Sequence, residues 1–321
     1  MIKIGITGQS GFIGTHLYNT LGLEPEKFQR IPFDRFFFEE IALLEQFVSQ
    51  CDVIIHLAAL NRHNDPRTIY DTNLDLTKRL IRALESTNST PHLLFASSIQ
   101  EERDNPYGRS KKEGRILLEE WAAKNRARFT GLIMPNVFGP FGHPYYNSVV
   151  ATFCHQLTHN EQPKIDIDGE LKLIYVAELV QTIITHIVNP QSTTTSRQIS
   201  HTTTIKVSRL LEKLTAFKHT YFDKQIVPEI REPFDRNLFN TFVCYIDHKS
   251  FYPGKLVPHT DQRGSFVEVL KLDNTGGQVS FSTTVPGIIR GNHFHTRKFE
   301  RFAVIKGKAR IDLRRIGTEE V

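Results

Sequence analysis

The sequence predicts an α/β protein with a doubly wound parallel sheet, followed by a smaller all-β region. Short apolar strands alternate with amphipathic helical patterns through the first half of the chain. This order is typical of a parallel sheet with helices on both faces. After residue 254 the chain changes to short segments separated by glycine-containing turns, which favours β-structure. We therefore expect two domains, at residues 1–245 and 246–321.

The elements of both regions follow from the hydrophobic pattern. In the first half, strands are expected at 2–6, about 28–33, 53–57, 93–96 and 130–134. Helices are expected between them at 15–21, 41–49, 73–86 and 108–124. The pattern then loosens into a smaller α/β region, and later strands are expected at 264–272, 278–284 and 302–313.

Composition indicates a soluble cytoplasmic protein. Charged residues at 23% and hydrophobic residues at 39% are ordinary for a globular chain, and no apolar run approaches the roughly 20 residues that span a bilayer. Three scattered cysteines favour a reducing compartment, and the N-terminus is an apolar strand rather than a cleavable signal. A net charge of +5 suits a protein that handles phosphates. The basic residues form no stripe, which argues against nucleic acid.

Three glycines follow the first predicted strand at the spacing G-x-x-G-x-x-G. Gly8, Gly11 and Gly14 lie between that strand and the helix at 15–21. Glycines at this place let the backbone approach a pyrophosphate at the positive N-terminus of the helix. Because the motif stands in the strand–turn–helix context that it requires, we predict a dinucleotide site.

The residues after the second strand bear on which dinucleotide binds. An acidic residue there binds a ribose 2′-hydroxyl, whereas an arginine accepts a 2′-phosphate. Asp34 and Arg35 are both present, so the pattern leaves NAD and NADP open. Arg30 and Arg35 flank the position and favour NADPH, with two solvated arginines as the alternative.

A phenol and an ammonium group lie four residues apart on the helix at 108–124. The pKa of tyrosine is about 10, so an acid that works near neutrality needs it lowered. Lys111, one turn after Tyr107, has the charge to do so. Ser98 ends a predicted strand nine residues before Tyr107, where a hydroxyl could hold a carbonyl oxygen. These residues predict a proton-transfer site.

The order of these motifs resembles that of the extended short-chain dehydrogenases/reductases. The resemblance rests on Thr7–Gly14, His56–Ala59, Asn73, Ser98, Tyr107, Lys111 and Pro135–Pro140. It implies a Rossmann-type fold in which Tyr107 exchanges a proton with the substrate oxygen and Lys111 holds the nicotinamide ribose. Ser98 would polarise the carbonyl, with Ser97 as the less favoured choice.

The resemblance implies further roles in cofactor binding and proton transfer. Asn73 would support a proton relay through bound water. The implied cofactor-binding residues are Gly8, Gly11, Phe12, Ile13, Gly14, Arg35, Leu57, Ala58, Ala59, Tyr107 and Lys111. The chain departs from most extended members in its short connection from Ser98 to Tyr107, a loop that normally helps shape the sugar pocket.

A second motif lies near the C-terminal end. His293 and His295 are two apart, so on a strand both imidazoles point to one side, and Glu300 could complete a three-ligand face. This donor set suits zinc, iron(II) or manganese. With Gly287 and Gly307 the spacing resembles the first cupin motif. Because no histidine follows His295, we expect a truncated cupin with an incomplete site.

A reductase followed by a cupin resembles bifunctional enzymes of capsular polysaccharide synthesis. The resemblance implies that NADPH reduces the C4 ketone of a UDP-linked 2-acetamido-2,6-dideoxy-4-keto hexose. It also implies metal-assisted C3 epimerisation, with zinc as the expected metal, and a homo-oligomer. In this chain we expect reduction to survive and epimerisation to be impaired. The alternatives are a 4,6-dehydratase or 4-epimerase that recycles NAD, and a dinucleotide-binding scaffold without turnover.

Overall fold

A six-stranded parallel sheet is the framework of the N-terminal part of the chain. The computed structural model describes residues 1–190, 195–252, 254, 256–273, 277–293, 300–314 and 321. Its strands are β1 (Ile2–Thr7), β2 (Phe28–Ile31), β3 (Val53–His56), β4 (His92–Ser98), β5 (Phe129–Met134), β6 (Asn136–Phe138), β7 (Glu170–Tyr175), β8 (Thr195–Gln198), β9 (Thr203–Lys206), β10 (Pro258–Asp261), β11 (Gly264–Lys271) and β12 (Gln278–Ser282).

Nine α-helices are formed by the described residues. They are α1 (Phe12–Leu21), α2 (Ile41–Ser49), α3 (Pro66–Ser86), α4 (Pro106–Asn125), α5 (Val149–Thr158), α6 (Val176–Val188), α7 (Val207–Phe217), α8 (Pro233–Val243) and α9 (His248–Phe251). Two short 3-10 helices, Arg35–Phe38 and Ile99–Glu102, follow β2 and β4. Within the described ranges, no helix is long and apolar enough to cross a membrane.

The central sheet has the strand order β2-β1-β3-β4-β5-β8, and all of its neighbours are parallel. Helices α2, α3 and α4 cover one face, where Leu44, Leu80 and Leu118 are fully buried in one cluster. Helices α1 and α6 cover the other face through Leu17 and Leu179. The predicted doubly wound parallel sheet is therefore confirmed. Since β2 and β3 lie on opposite sides of β1, the carboxyl ends of β1 and β3 border the crevice in which such sheets bind ligands.

Two smaller sheets accompany the central one. Strands β6, β7 and β9 form a mixed sheet, whose residues Phe138 and Leu173 pack in a cluster with Leu210 of α7 and Phe242 of α8. Strands β10, β11 and β12 form the third sheet, and β10 pairs with β11 in antiparallel fashion.

The described chain divides into two compact units, and their bounds differ from the predicted 1–245 and 246–321. The first lies within residues 1–255 and 270–278, and the second within 256–269 and 279–321. The strand predicted at 302–313 is not formed, because residues 300–314 adopt irregular backbone and bends. Phe302 and Val304 are 68% and 53% exposed, so the apolar pattern there has no packed face to stabilise a strand among the described residues.

Helix α4 begins at a defined point because its N-terminus is capped. The side-chain Oδ1 of Asn105 accepts a hydrogen bond from the Gly108 amide at 2.8 Å, and Pro106 occupies the first turn. The buried residues Leu118 and Trp121 then hold the helix against the sheet. The cap therefore fixes where the first turn of α4 meets the carboxyl end of β4.

The Asn105 cap can be tested by its effect on stability. We expect Asn105→Ala to lower the free energy of unfolding by about 1 kcal/mol, since an N-cap side chain contributes that much, and Asn105→Asp to retain most of it. Trp121 is the single tryptophan of the chain and is buried on the same helix, so its fluorescence reports unfolding in urea. Equal stabilities for Asn105→Ala and Asn105→Asp would show that the cap contributes nothing.

Candidate active site

The glycine turn between β1 and α1 forms a tight backbone cradle. Gly8 has a φ of +76°, and its carbonyl oxygen accepts the Gly11 amide at 3.0 Å. A Cβ on Gly14 would lie 2.2 Å from that oxygen, a clash with backbone that no side-chain movement could relieve. Among the described residues no side chain caps the start of α1. Its first amides are thus left for an anionic ligand, which fits the predicted pyrophosphate.

The loop after β3 lies directly beside this turn. The amide of Leu57 donates to the Thr7 carbonyl at 3.1 Å, and the amide of Ala58 lies 3.4 Å from Thr7 Oγ1. Thr7 Oγ1 is also 2.6 Å from Nδ1 of His56. Burial, and then the charge of Lys111, lowers the pKa of His56 to about 3, so this imidazole is neutral and structural. The structure thus brings the predicted residues 57–59 and 8–14 together.

Of the two arginines at and after the end of β2, one is already engaged and the other is open to solvent. Arg30 Nη1 donates to the Tyr18 carbonyl at 3.1 Å, and its guanidinium carbon lies 4.3 Å from the centroid of the Tyr18 ring. Asp34 Oδ1 caps the following 3-10 helix by accepting the Phe36 amide at 2.8 Å. Arg35 is exposed. Of the two arginines considered from the sequence, Arg35 is therefore the one that is free to meet a ligand.

Lys111 extends from the first turns of α4 to the sheet. Its Nζ donates to the Ala96 carbonyl of β4 at 2.9 Å, and the residue is 4% exposed. Burial lowers the pKa of Lys111 to about 8, while the charge of Glu101 opposes that effect. The ammonium form therefore predominates at neutral pH.

Tyr107 lies on the same side of α4. Nζ of Lys111 is 5.8 Å from the centroid of the Tyr107 ring. Burial, and then Tyr146, raises the pKa of Tyr107 to about 12. The lowered pKa expected from the sequence is not found, because burial removes solvent from the phenol and the Lys111 ammonium is directed towards the Ala96 carbonyl.

The two serines at the end of β4 differ in their partners. Ser97 is 4% exposed, and its hydroxyl donates to the Glu101 carboxylate in a short hydrogen bond. Ser98 is half-buried, and its Oγ accepts the Gln100 amide at 3.2 Å. The Ser98 hydroxyl therefore keeps its proton for a ligand, and this supports the prediction of Ser98 over Ser97.

A buried ion pair lies beside these groups and was not foreseen from the sequence. Arg115 Nε and Nη2 contact the Glu101 carboxylate at 2.9 and 2.8 Å, and the two side chains are only 15% and 7% exposed. Glu101 thereby accepts from both Ser97 and Arg115. The signal in the sequence was an acidic residue three positions after the strand that carries Ser98.

Asn73 joins the loop after β3 to α4. Its Nδ2 donates to the Leu60 carbonyl at 3.1 Å and to Ser110 Oγ at 3.0 Å, and its Oδ1 accepts the Leu60 amide at 2.7 Å. Both amide N–H bonds are therefore used within the protein. Asn73 positions these elements, and its part in a water relay stays a prediction.

The short connection between Ser98 and Tyr107 depends on Gly108. A Cβ on Gly108 would lie 2.1 Å from the Gln100 carbonyl and 2.9 Å from that of Arg103. The connection is thus packed directly on the first turn of α4. Any larger residue would push that turn, and Tyr107 with it, away from β4.

The predicted metal ligands lie partly outside the described residues. His293 and Glu300 are described, whereas His295 falls in the gap at 294–299. Among the described residues, no group of three or more His, Cys, Asp or Glu side chains is placed to hold a metal ion. Imidazole and carboxylate remain a donor set of the right chemistry for a divalent ion.

Comparison with known proteins defines the class to which this fold and site belong. The sequence profile of the NAD dependent epimerase/dehydratase family matches residues 4–200, and that of a polysaccharide biosynthesis C-terminal domain matches residues 259–321. The chain belongs to the NAD dependent epimerase/dehydratase family.

Individual relatives extend over nearly the whole chain. A UDP-2-acetamido-2,6-beta-L-arabino-hexul-4-ose reductase of Pseudomonas aeruginosa is 34% identical over 319 residues, which cover 99% of this chain and 84% of the relative. The crystal structure of the capsular polysaccharide assembling protein CapF from Staphylococcus aureus is 30% identical with a TM-score of 0.75, covering 90% of this chain and 77% of CapF. RMD from P. aeruginosa, solved with NADPH, shares the fold at 18% identity, a TM-score of 0.65 and coverages of 76% and 99%.

Replacing Lys111 tests how strongly its burial opposes folding. We expect Lys111→Met to raise the free energy of unfolding at pH 7 by on the order of 2 kcal/mol. A pKa lowered from 10.5 to about 8 costs about 3 kcal/mol, and the lost hydrogen bond offsets about 1 kcal/mol. The gain in the free energy of unfolding is complete below pH 8 and shrinks as the pH rises from 8 to 10.5. It disappears above pH 10.5, where the lysine is neutral in both the folded and the unfolded state. Urea unfolding followed by Trp121 fluorescence measures it.

The adjacent Lys112 is exposed and serves as the matched control. Lys112→Met should leave stability unchanged within about 0.5 kcal/mol. A destabilised Lys111→Met variant at pH 7 would contradict the assigned cost of burial.

Proposed function

We propose that the chain reduces the C4 ketone of a UDP-linked 2-acetamido-2,6-dideoxy-4-keto hexose with NADPH. The observation that carries the proposal is the placement of Tyr107, Lys111 and Ser98 at the carboxyl end of β4. It is supported by the 34% identical relative, which is a reductase of a UDP-linked hexul-4-ose.

Tyr107 is suited to be the proton donor in this direction of reaction. Its pKa of about 12 keeps the phenol protonated at neutral pH, so it can give its proton to the oxygen of a ketone as the alcohol forms. The Lys111 ammonium, with a pKa of about 8, stabilises the phenolate left behind. Ser98 would donate a hydrogen bond to the same oxygen.

The residues around the glycine turn fit a bound NADPH. The amides at the start of α1 would hold the pyrophosphate, with Gly8, Gly11, Phe12, Ile13 and Gly14 forming the cradle. Arg35 would accept the 2′-phosphate, Leu57, Ala58 and Ala59 would line the ribose side, and Lys111 would hold the nicotinamide ribose. When bound, the nicotinamide supplies the hydride.

We further propose that His293, His295 and Glu300 bind a divalent metal, with zinc the expected ion. A metal bound there would polarise a neighbouring ketone and stabilise the enolate needed for C3 epimerisation. The support is the donor chemistry of the three residues and the match of residues 259–321 to a polysaccharide biosynthesis domain.

The reductase proposal is tested by NADPH oxidation with the UDP-linked 4-keto sugar. We expect stoichiometric NADPH consumption, with NADH used more slowly, and a rate lowered about 10²- to 10⁴-fold by Tyr107→Phe because the general acid is lost. The Kd for NADPH should change little. Tyr252→Phe removes an exposed phenol at the end of α9 and should leave the rate unchanged.

Two outcomes would contradict the reductase proposal. Turnover of the sugar without net NADPH consumption would indicate a dehydratase or epimerase that recycles NAD. NADPH binding without any turnover would indicate a binding scaffold.

The metal proposal is tested separately by zinc content and by deuterium at C3 in deuterated water. We expect zinc in the wild-type chain and a strong loss of it in His293→Ala. Deuterium at C3 should be slow to appear in the wild type, since epimerisation is expected to be impaired, and absent in that variant. His259→Ala removes an exposed histidine of β10 and should retain the wild-type zinc content. Equal zinc content in both variants would refute His293 as a ligand.

A further inference from the structure

Two loops meet at the carboxyl end of the central sheet and fix the position of one tyrosine. The first loop follows β3 and contains Asn61 and Arg62, and the second follows β6 and contains Tyr145 and Tyr146. Arg62 Nη1 donates to the carbonyls of both tyrosines, at 3.2 Å for Tyr146. The Asn61 amide lies 3.3 Å from Tyr146 Oη. The backbone and the phenol of Tyr146 are therefore both held by consecutive residues of the other loop.

The loop after β6 holds two aromatic residues in an unfavourable backbone conformation. Tyr145 has a φ of +58° and Phe141 a φ of +65°. A residue in this conformation is strained and persists only where its surroundings impose it. For Tyr145 the surroundings are Thr152 Oγ1, which accepts its amide at 3.0 Å, and Glu161, which accepts its hydroxyl. Strain of this kind is characteristic of loops that present side chains to ligands.

A series of hydrogen bonds connects the loop that contacts Tyr146 with the first turn of α4, which carries Tyr107. Leu60, the neighbour of Asn61, is bound on both its amide and carbonyl by Asn73. Asn73 also donates to Ser110 Oγ, whose hydroxyl donates to the Tyr107 carbonyl at 2.8 Å. The loop that holds Tyr146 is thus tied to the turn of α4 that carries the proton donor. Tyr146 also contributes to the raised pKa of Tyr107, as expected for two phenols at one site.

The Tyr146 hydroxyl can donate a hydrogen bond to a ligand. Its oxygen accepts from Asn61, and among the hydrogen bonds of the described residues none has this hydroxyl as donor. The side chain is also 38% exposed, so a ligand can reach it. A sugar presents hydroxyl and amide oxygens that accept such a hydrogen bond.

We propose that Tyr146 is a substrate-contacting residue whose hydroxyl donates a hydrogen bond to an oxygen of the sugar, and that Arg62 positions it. The inference rests on the proposed function, since the sugar is that of the UDP-linked ketone. It assigns sugar selectivity to the loop after β6, while Tyr107 and Lys111 on α4 carry the proton chemistry.

The test compares Tyr146→Phe with the wild type. We expect the KM for the UDP-linked keto sugar to rise about tenfold, the value for one lost hydrogen bond of about 1.4 kcal/mol, with kcat changed less than about threefold. The KM for NADPH and the Kd for UDP, which has no sugar, should stay unchanged. Arg62→Ala should raise the KM for the sugar nucleotide in the same way.

Tyr252→Phe is the control. It removes an exposed phenol outside the two loops, at the end of α9, and should keep the wild-type KM for the sugar nucleotide. An unchanged KM for the sugar nucleotide in Tyr146→Phe would overturn the inference. An equal weakening of UDP and sugar-nucleotide binding would also overturn it, because it would show that the substitution disturbs the loop rather than a contact to the sugar. A wild-type chain without NADPH turnover would refute the proposed reductase. In that case the Kd of the sugar nucleotide, measured by calorimetry for the wild type and Tyr146→Phe, would still test the role of Tyr146.

Discussion

The burial of one ammonium group constrains everything at the carboxyl end of the sheet. Lys111 is almost fully removed from solvent, and a buried charge is tolerated only when it is hydrogen-bonded and compensated. The Ala96 carbonyl supplies the hydrogen bond and the Glu101 carboxylate supplies opposite charge. Because the lysine is fixed to β4, the first turns of α4 are fixed there too. Tyr107 has a defined position as a consequence.

The short connection after β4 makes this arrangement possible. Its 3-10 helix begins at Ile99, with Ser98 as the N-cap. The helix brings Glu101 within hydrogen-bonding distance of Ser97, and Arg115 of α4 holds the carboxylate. Gly108 lets the connection pack against the same helix without a gap. Under the proposed function, the proton chemistry lies on helix α4 and sugar recognition lies on the loops after β3 and β6.

Much of the fold was predictable because it is encoded locally. The strands at 2–7, 53–56, 92–98 and 129–134 are rich in apolar residues, and the glycine turn and the Tyr107–Lys111 pair are recognised by spacing along the chain. The pattern failed at 302–313, where alternation of apolar residues did not produce a strand. A strand needs a neighbour for its hydrogen bonds, and a periodic pattern does not show whether that neighbour is present.

The sequence by itself determined the parallel sheet, and it predicted the dinucleotide turn and the proton-transfer pair. Only the tertiary structure decided that Ser97 rather than Ser98 donates to Glu101, and that the pKa of Tyr107 is raised. It also showed Asn73 bonded to two elements at once, and Tyr146 held by a loop 85 positions away. The reason is physical: solvation and hydrogen-bond partners depend on which distant residues surround a group, and residue spacing along the chain does not contain that information.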